Sequence, residues 1–238
     1  MMMRLVKDLG GIFLAGIFTM LSPAGLMAHE CAGHSDIALV NMLQPPPCEA
    51  CEETKAELAE LEGLERARTP AEEEHARQDA TRSIARFLEG AGIAFEPSRL
   101  EACEPFFLAR LKEDRAAVDS AKNAFCRLRP FKTPGNSLHP LKDLKPDESF
   151  SYPSGHATWA AEAGSLLARM MPEKQAIIYS RINDFARSRM VAGVHFRSDV
   201  EAGKLLGVAL ANALLVMPGF DREFEEAKSC VREAAGLP

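Results

Sequence analysis

The sequence predicts an all-α fold, and three observations carry that expectation. Apolar residues recur at helical spacing, as at Leu58, Leu61 and Leu64, and again at Phe106, Phe107, Leu111, Ala117, Val118, Ala121 and Phe125. Between these stretches stand residues that start or stop helices, such as Thr69-Pro70, Pro130, Pro172 and Ser198. No convincing run alternates with the period of two that a half-buried strand needs.

In chain order, residues 1–28 read as a secretory signal. Arg4 and Lys7 make a positive start, residues 10–21 are apolar, and Ala24 or Ala28 could end a cleavage site. The apolar run is short for a spanning helix, and no second spanning segment follows. Residues 29–70 form an N-terminal part with Cys31, Cys48, Cys51 and the stiff Pro45-Pro46-Pro47. It ends in an amphipathic helix over residues 50–68. Thr69 caps the next helix with Pro70 in its first turn, and that helix is expected to reach residue 88 and end at Gly90 or Gly92. Residues 97–100 are expected to turn the chain. A long helix over residues 105–128 stops before Pro130. Residues 133–150 carry no periodicity and read as a functional loop. Helices over 157–171, from Pro172 to about 190, over 199–217 with Ser198 as cap, and over 221–235 complete an all-α core spanning 71–238.

The chain has 238 residues, 47% hydrophobic and 26% charged, enough for one sizeable core. A formal net charge of -6 argues against a general nucleic-acid binder or an anionic-membrane binder. An anionic substrate must therefore be drawn by a local basic pocket. Six cysteines in an exported chain suggest disulfides, whose pairing the sequence leaves open. His29, Cys31, His34, Cys48 and Cys51 could also bind zinc, but their spacing matches no standard finger, and an oxidising compartment favours disulfides.

Three constellations carry chemistry. Lys122 and Arg129 lie seven residues apart, which on one helix would project both cations from the same side. Ser154-Gly155-His156 opens a helix, where free N–H groups and the helix dipole favour an anion, and His156 stands beside it as a proton donor. Arg189 offers a fork of donors to an oxyanion, while His195 and Asp199, four apart, suit a histidine nucleophile backed by a carboxylate. Ser180-Arg181 is a decoy, because Arg187 stands where the histidine should be.

The order Lys122-x6-Arg129-Pro130, Pro153-Ser-Gly-His156, Ser188-Arg189-x5-His195-x3-Asp199 resembles the three-part signature of the type 2 phosphatidic acid phosphatase and vanadium haloperoxidase superfamily. With the export signal, the chain is similar to the bacterial class A non-specific acid phosphatases. That resemblance implies a single-domain helical bundle and a periplasmic location in a Gram-negative bacterium. It also implies small phosphomonoester substrates, no nucleic-acid partner, no stable membrane insertion after signal removal, and a possible homodimer. It assigns His195 as nucleophile, Asp199 as its partner and His156 as acid. Lys122, Arg129, Ser154, Gly155 and Arg189 bind phosphate, with no metal and no cofactor. The cysteine-rich segment departs from the family pattern. A lipid phosphate phosphatase and a vanadate-dependent haloperoxidase are the alternatives.

Overall fold

The longest buried helix sits in the middle of the molecule and explains most of its packing. In the computed structural model, residues 40–144 and 149–238 are described. The expected signal and the His29, Cys31 and His34 members of the possible metal group lie outside them. Eight α-helices occur among the described residues, and no strand. They are α1 (Glu52–Ala67), α2 (Pro70–Gln78), α3 (Ile84–Gly90), α4 (Pro97–Phe125), α5 (Gly155–Met170), α6 (Gln175–Val191), α7 (Arg197–Leu215) and α8 (Phe220–Ala234). No single one of them is long and apolar enough to cross a membrane.

Helix α5 is made of small and apolar residues, and nearly all of it is buried. A helix apolar on every side must be surrounded. Helices α6 and α7 make its largest contacts, with α4 and α8 also against it. Trp159 of α5 meets Phe87 of α3 and Phe185 of α6, three rings whose centroids are 5.3 to 6.3 Å apart. Helix α7 comes unusually close to α5 because of two glycines. A Cβ at Gly207 would stand 2.1 Å from the Thr158 carbonyl oxygen, and one at Gly203 would stand 2.5 Å from that of Ser154. This approach sets the start of α5 beside the start of α7. The Cys103–Cys230 disulfide ties α4 to α8.

Several boundaries differ from the expectation, each for a physical reason. The predicted helix over 70–88 is two helices. Thr69 does cap α2 in a capping box with Glu72, but Asp79 ends it, and Ser83 caps α3 by accepting from the Arg86 N–H. No Gly or Pro marks that break; it is fixed by tertiary contacts of Asp79. The expected turn at 97–100 is instead the first turn of α4. Glu96 caps it by accepting from Ser98 and Arg99 N–H, with Pro97 at the first position, where its missing N–H costs nothing. Pro105 therefore lies inside the helix. Helix α4 ends at Phe125, where Cys126 takes a left-handed conformation at φ 48°. Arg129 is thus not on the helix with Lys122; it follows it on an extended segment. After Pro172 comes one 3₁₀ turn before α6. Ser198 is not the cap of α7. That helix starts at Arg197, and Asp199 reaches back to accept from the Phe196 N–H at 2.8 Å.

Candidate active site

Helix α6 ends in a reversal that delivers the central histidine. Gly193, at φ 72°, donates to the Met190 carbonyl at 2.9 Å, and Val194 donates to that of Arg189 at 3.2 Å. These two bonds are the paired closure of a Schellman motif, which needs a residue comfortable at positive φ. The chain folds back over its last turn, so His195 returns to the neighbourhood of Arg189. His195 precedes α7, and Asp199 lies in the first turn of that helix. The two meet at the entry of α7, where Asp199 reaches back toward the residues just ahead of the helix.

Both are buried. His195 Nδ1 is 3.3 Å from Asp199 Oδ2, and Ser151 Oγ is 3.4 Å from the same nitrogen. On the other side, Arg129 Nη1 is 2.8 Å from His195 Nε2. A guanidinium can only donate, so Nε2 must accept and the ring proton must sit on Nδ1, facing Asp199. This is the tautomer that leaves Nε2 a lone pair. Asp199 is held by Arg127 at 2.7 Å, by Ser151 Oγ at 2.5 Å and by the Phe196 N–H. Burial pushes its carboxyl up, while Arg127, Ser151 and the Phe196 N–H pull toward the carboxylate. Arg127 also bonds Glu57 at 2.7 Å and lies 3.9 Å over the Phe196 ring, so it braces Asp199 against α1.

In front of Nε2 lies a cleft of about 300 Å³. Lys122, Arg129, Arg189, Gly155, His156 and His195 all line it. Lys122 Nζ donates to the Phe150 carbonyl at 2.5 Å and to Ser149 Oγ at 3.1 Å. Arg129 bonds the Val194 carbonyl at 2.9 Å and the Ser149 carbonyl at 3.1 Å. Arg189 differs. It is buried, yet its Nε and Nη1 have no hydrogen-bond partner. Burial, then the nearby Arg129 charge, pushes it down to about 10. Such a shift costs on the order of a few kcal/mol for the charged form, a cost that an anion in the cleft would offset. Ser154 is fully buried as the cap of α5, and its N–H donates to the Asp199 carbonyl at 2.9 Å, locking the two helix starts together.

His156 Nε2 lies 3.0 Å from the Ala80 carbonyl, which fixes a proton on that nitrogen and leaves Nδ1 to accept or carry a second. Burial, followed by the charges of Arg189 and Arg82, holds the ring well below its ordinary value. Ala80 and Arg82 belong to the break between α2 and α3. That break is pinned by buried Asp79, which takes Arg181 at 2.6 and 2.9 Å, Arg86 at 2.7 Å and Ser188 Oγ at 2.7 Å. Burial alone would raise Asp79, but Arg181 and Ser188 hold its carboxyl below the usual range. Arg181, the decoy of the sequence, is therefore a buried structural cation. It also fills the one metal-like group of acids and histidine among the described residues, His75, Asp79 and Asp184, lying within 3.2 Å of each.

All eight residues singled out in the sequence thus converge: six line the cleft, and Ser154 and Asp199 stand directly behind it. Sequence reasoning missed Arg82, Arg127 and Ser151. Arg127 lies between Lys122 and Arg129, and Ser151 just ahead of Pro153-Ser-Gly-His156, but only the fold shows that they serve Asp199 from behind. Arg82 had no signal while the α2–α3 break was unseen.

Residues 111–223 match the PAP2 superfamily. The chain is 30% identical over 164 residues to an acid phosphatase of Zymomonas mobilis, covering 67% of this chain and 62% of that protein. It is 33% identical over 113 residues to a non-specific acid phosphatase of Providencia stuartii, covering 47% and 46%. A Salmonella typhi non-specific acid phosphatase is 30% identical over 122 residues. The matched stretches span about half to three fifths of these relatives' lengths. In fold, the chain is similar to a crystal structure of a transmembrane PAP2 type phosphatidylglycerolphosphate phosphatase from Bacillus subtilis, with a TM-score of 0.53 at 23% identity over 78% of this chain and 91% of that one. Residues 111–223 of this chain are a PAP2 superfamily domain, and its homologues include proteins named non-specific acid phosphatase.

Proposed function

We propose that the chain hydrolyses phosphate monoesters without a metal ion, through a phosphohistidine on His195. The observation that carries this reading is Arg189. A buried guanidinium with two unpartnered nitrogens, lining the same cleft as the His195 ring, is suited to receive an oxyanion. A phosphoryl group would take donors from Arg189, Lys122, Arg129 and the N-terminal end of α5 around Gly155. Transfer of a phosphoryl group rests mainly on positioning and charge neutralisation, so these cations can do what a metal does elsewhere.

Substrate would draw Arg129 off His195 Nε2 onto a phosphate oxygen, freeing the lone pair. Nε2 then bonds to phosphorus as the ester P–O bond breaks. The ring becomes cationic, and Asp199, facing the Nδ1 proton, stabilises that charge. The departing alkoxide takes a proton from His156 Nδ1. The negative phosphate counters Arg189 and Arg82, whose charges hold His156 down, so binding itself favours the protonated acid. His156, now neutral, accepts a proton from the water that splits the phosphohistidine, and inorganic phosphate leaves.

The lipid phosphate reading is compatible with the same chemistry, but the cleft lining is mostly charged and polar, which favours a small soluble ester. The Cys103–Cys230 disulfide supports an exported, oxidising location for the chain. A panel of soluble aryl, sugar and nucleoside phosphates, with a dispersed phosphatidate as a further arm, tests the reading. Turnover of the soluble esters should persist after exhaustive chelation and should be inhibited competitively by vanadate. Turnover restored only by a divalent ion would refute the metal-free mechanism, and turnover confined to the lipid would replace the substrate class.

A further inference from the structure

Cys48 and Cys51 take no part in the cleft described above. The Cys51 N–H donates to the Cys48 carbonyl at 3.3 Å, closing a four-residue turn just ahead of α1. A turn of that kind keeps its first and fourth Cα atoms within about 7 Å. Disulfides span Cα separations of about 4.4–6.8 Å, so little backbone movement would be needed to join the pair. Both are free thiols, Cys48 exposed and Cys51 half-buried, and each shifts the other's titration. The Cys51 sulfur also donates to the Cys48 carbonyl at 2.7 Å and lies 3.8 Å from Thr54 Oγ1. Cys51 occupies the N-cap position of α1, where the helix start favours a thiolate, while its thiol donates to the Cys48 carbonyl and makes no cap bond.

We propose that Cys48 and Cys51 form a reversible dithiol–disulfide site that reacts with small disulfides through Cys51. This stands independently of the phosphatase reading. The Cys51 thiolate attacks one sulfur of a disulfide RSSR. The RS–SR bond breaks, a Cys51–SR mixed disulfide forms, and RS⁻ leaves and takes up the proton that Cys51 gave to solvent. Cys48 then loses its proton and attacks the Cys51 sulfur, expelling the second RS⁻. The protein has lost two hydrogens, and RSSR has become two RSH. The neighbouring Cys48 side chain lowers the Cys51 thiol, and Cys51 raises that of Cys48, which fits Cys51 as attacker and Cys48 as resolver. Glu49, Glu52 and Glu53 adjoin the pair and limit how far a thiolate is favoured.

The test uses the full chain, mildly reduced, desalted and incubated with glutathione disulfide at graded ratios to glutathione. Samples are acid-quenched, alkylated and mapped by peptide mass. The peptide containing both cysteines should lose two mass units and escape alkylation, reversibly with the ratio. Cys48→Ser should accumulate a glutathione adduct on Cys51, formed about tenfold or more faster than the Cys48 adduct of Cys51→Ser. Three results would overturn the proposal: two thiols still alkylatable under excess glutathione disulfide, pairing of either with another cysteine, or faster capture on Cys48. The exposed position of Cys48 makes its serine variant a mild change; ring formation in the unaltered chain tests the dithiol pair without the variants, and the variants test Cys51 as the attacker.

Discussion

Two arginines two residues apart divide the work around His195. Arg127 braces the carboxylate behind the ring, and Arg129 meets the nitrogen in front of it. Their alternation follows from the extended segment after α4, where residues i and i+2 share a side but the fold places His195 and Asp199 at different depths. The proton donor is tuned from elsewhere. Burial first, then Arg189 and Arg82, hold His156 low, so its protonated form is scarce in the free protein at neutral pH and grows as pH falls. Catalysis needing that form should fall as pH rises through the depressed value, giving an acid optimum. Removing one positive charge must raise His156. Arg82→Gln should therefore move the alkaline limb of kcat/KM upward by about half a pH unit. An unmoved limb would mean that Arg82 does not act on the donor. The helical spacing of Lys122 and Arg129 is not what brings that pair together; the eight site residues were legible because their order along the chain resembles a three-part family signature. Arg82 was not, because nothing local marks the break at Asp79. It is imposed by Arg181 and Ser188, more than a hundred positions away.

At the scale of elements, the site depends on α5 and α7 starting side by side. Gly203 and Gly207 allow that approach, and the Ser154 N–H to Asp199 carbonyl bond fixes it. Gly207→Ala sets two effects against each other. Alanine is favoured over glycine inside a helix by about 1 kcal/mol. Its Cβ would however fall within 2.1 Å of the backbone oxygen of Thr158 and 2.9 Å of the Glu162 nitrogen, atoms that cannot turn aside. Overpacking of this kind typically costs about 1–3 kcal/mol. The clash should win, lowering the urea midpoint and the turnover together. An unchanged or raised midpoint would show that the helices part without cost. Helix type was readable throughout, since periodicity reports which face is buried. Boundaries were less so. Pro105 reads as a helix start in isolation, yet Glu96 and Pro97 had already begun the helix about two turns earlier.

At the scale of the molecule, an acidic chain carries a cleft lined by Arg82, Arg115, Lys122, Arg129 and Arg189, so attraction of anions is local. A long-range disulfide joins α4 to the last helix, α8, through Cys103 and Cys230, 127 residues apart. Closing a loop of that length restricts the unfolded chain by up to about 5 kcal/mol in the chain-entropy account. Selective reduction should lower the thermal midpoint markedly while leaving the cleft chemistry intact below the transition. A midpoint indifferent to reduction would contradict a stabilising role. The sequence left this pairing open among several, because partners in a helical bundle are set by packing rather than by spacing.

The most direct test of the central claim is rapid acid or alkaline quenching during turnover of a labelled phosphomonoester, with mapping of the bound phosphate. The account predicts an acid-labile, alkali-stable phosphoryl group on His195 and none on His195→Ala. Label on another residue, or label surviving in that variant, would contradict it.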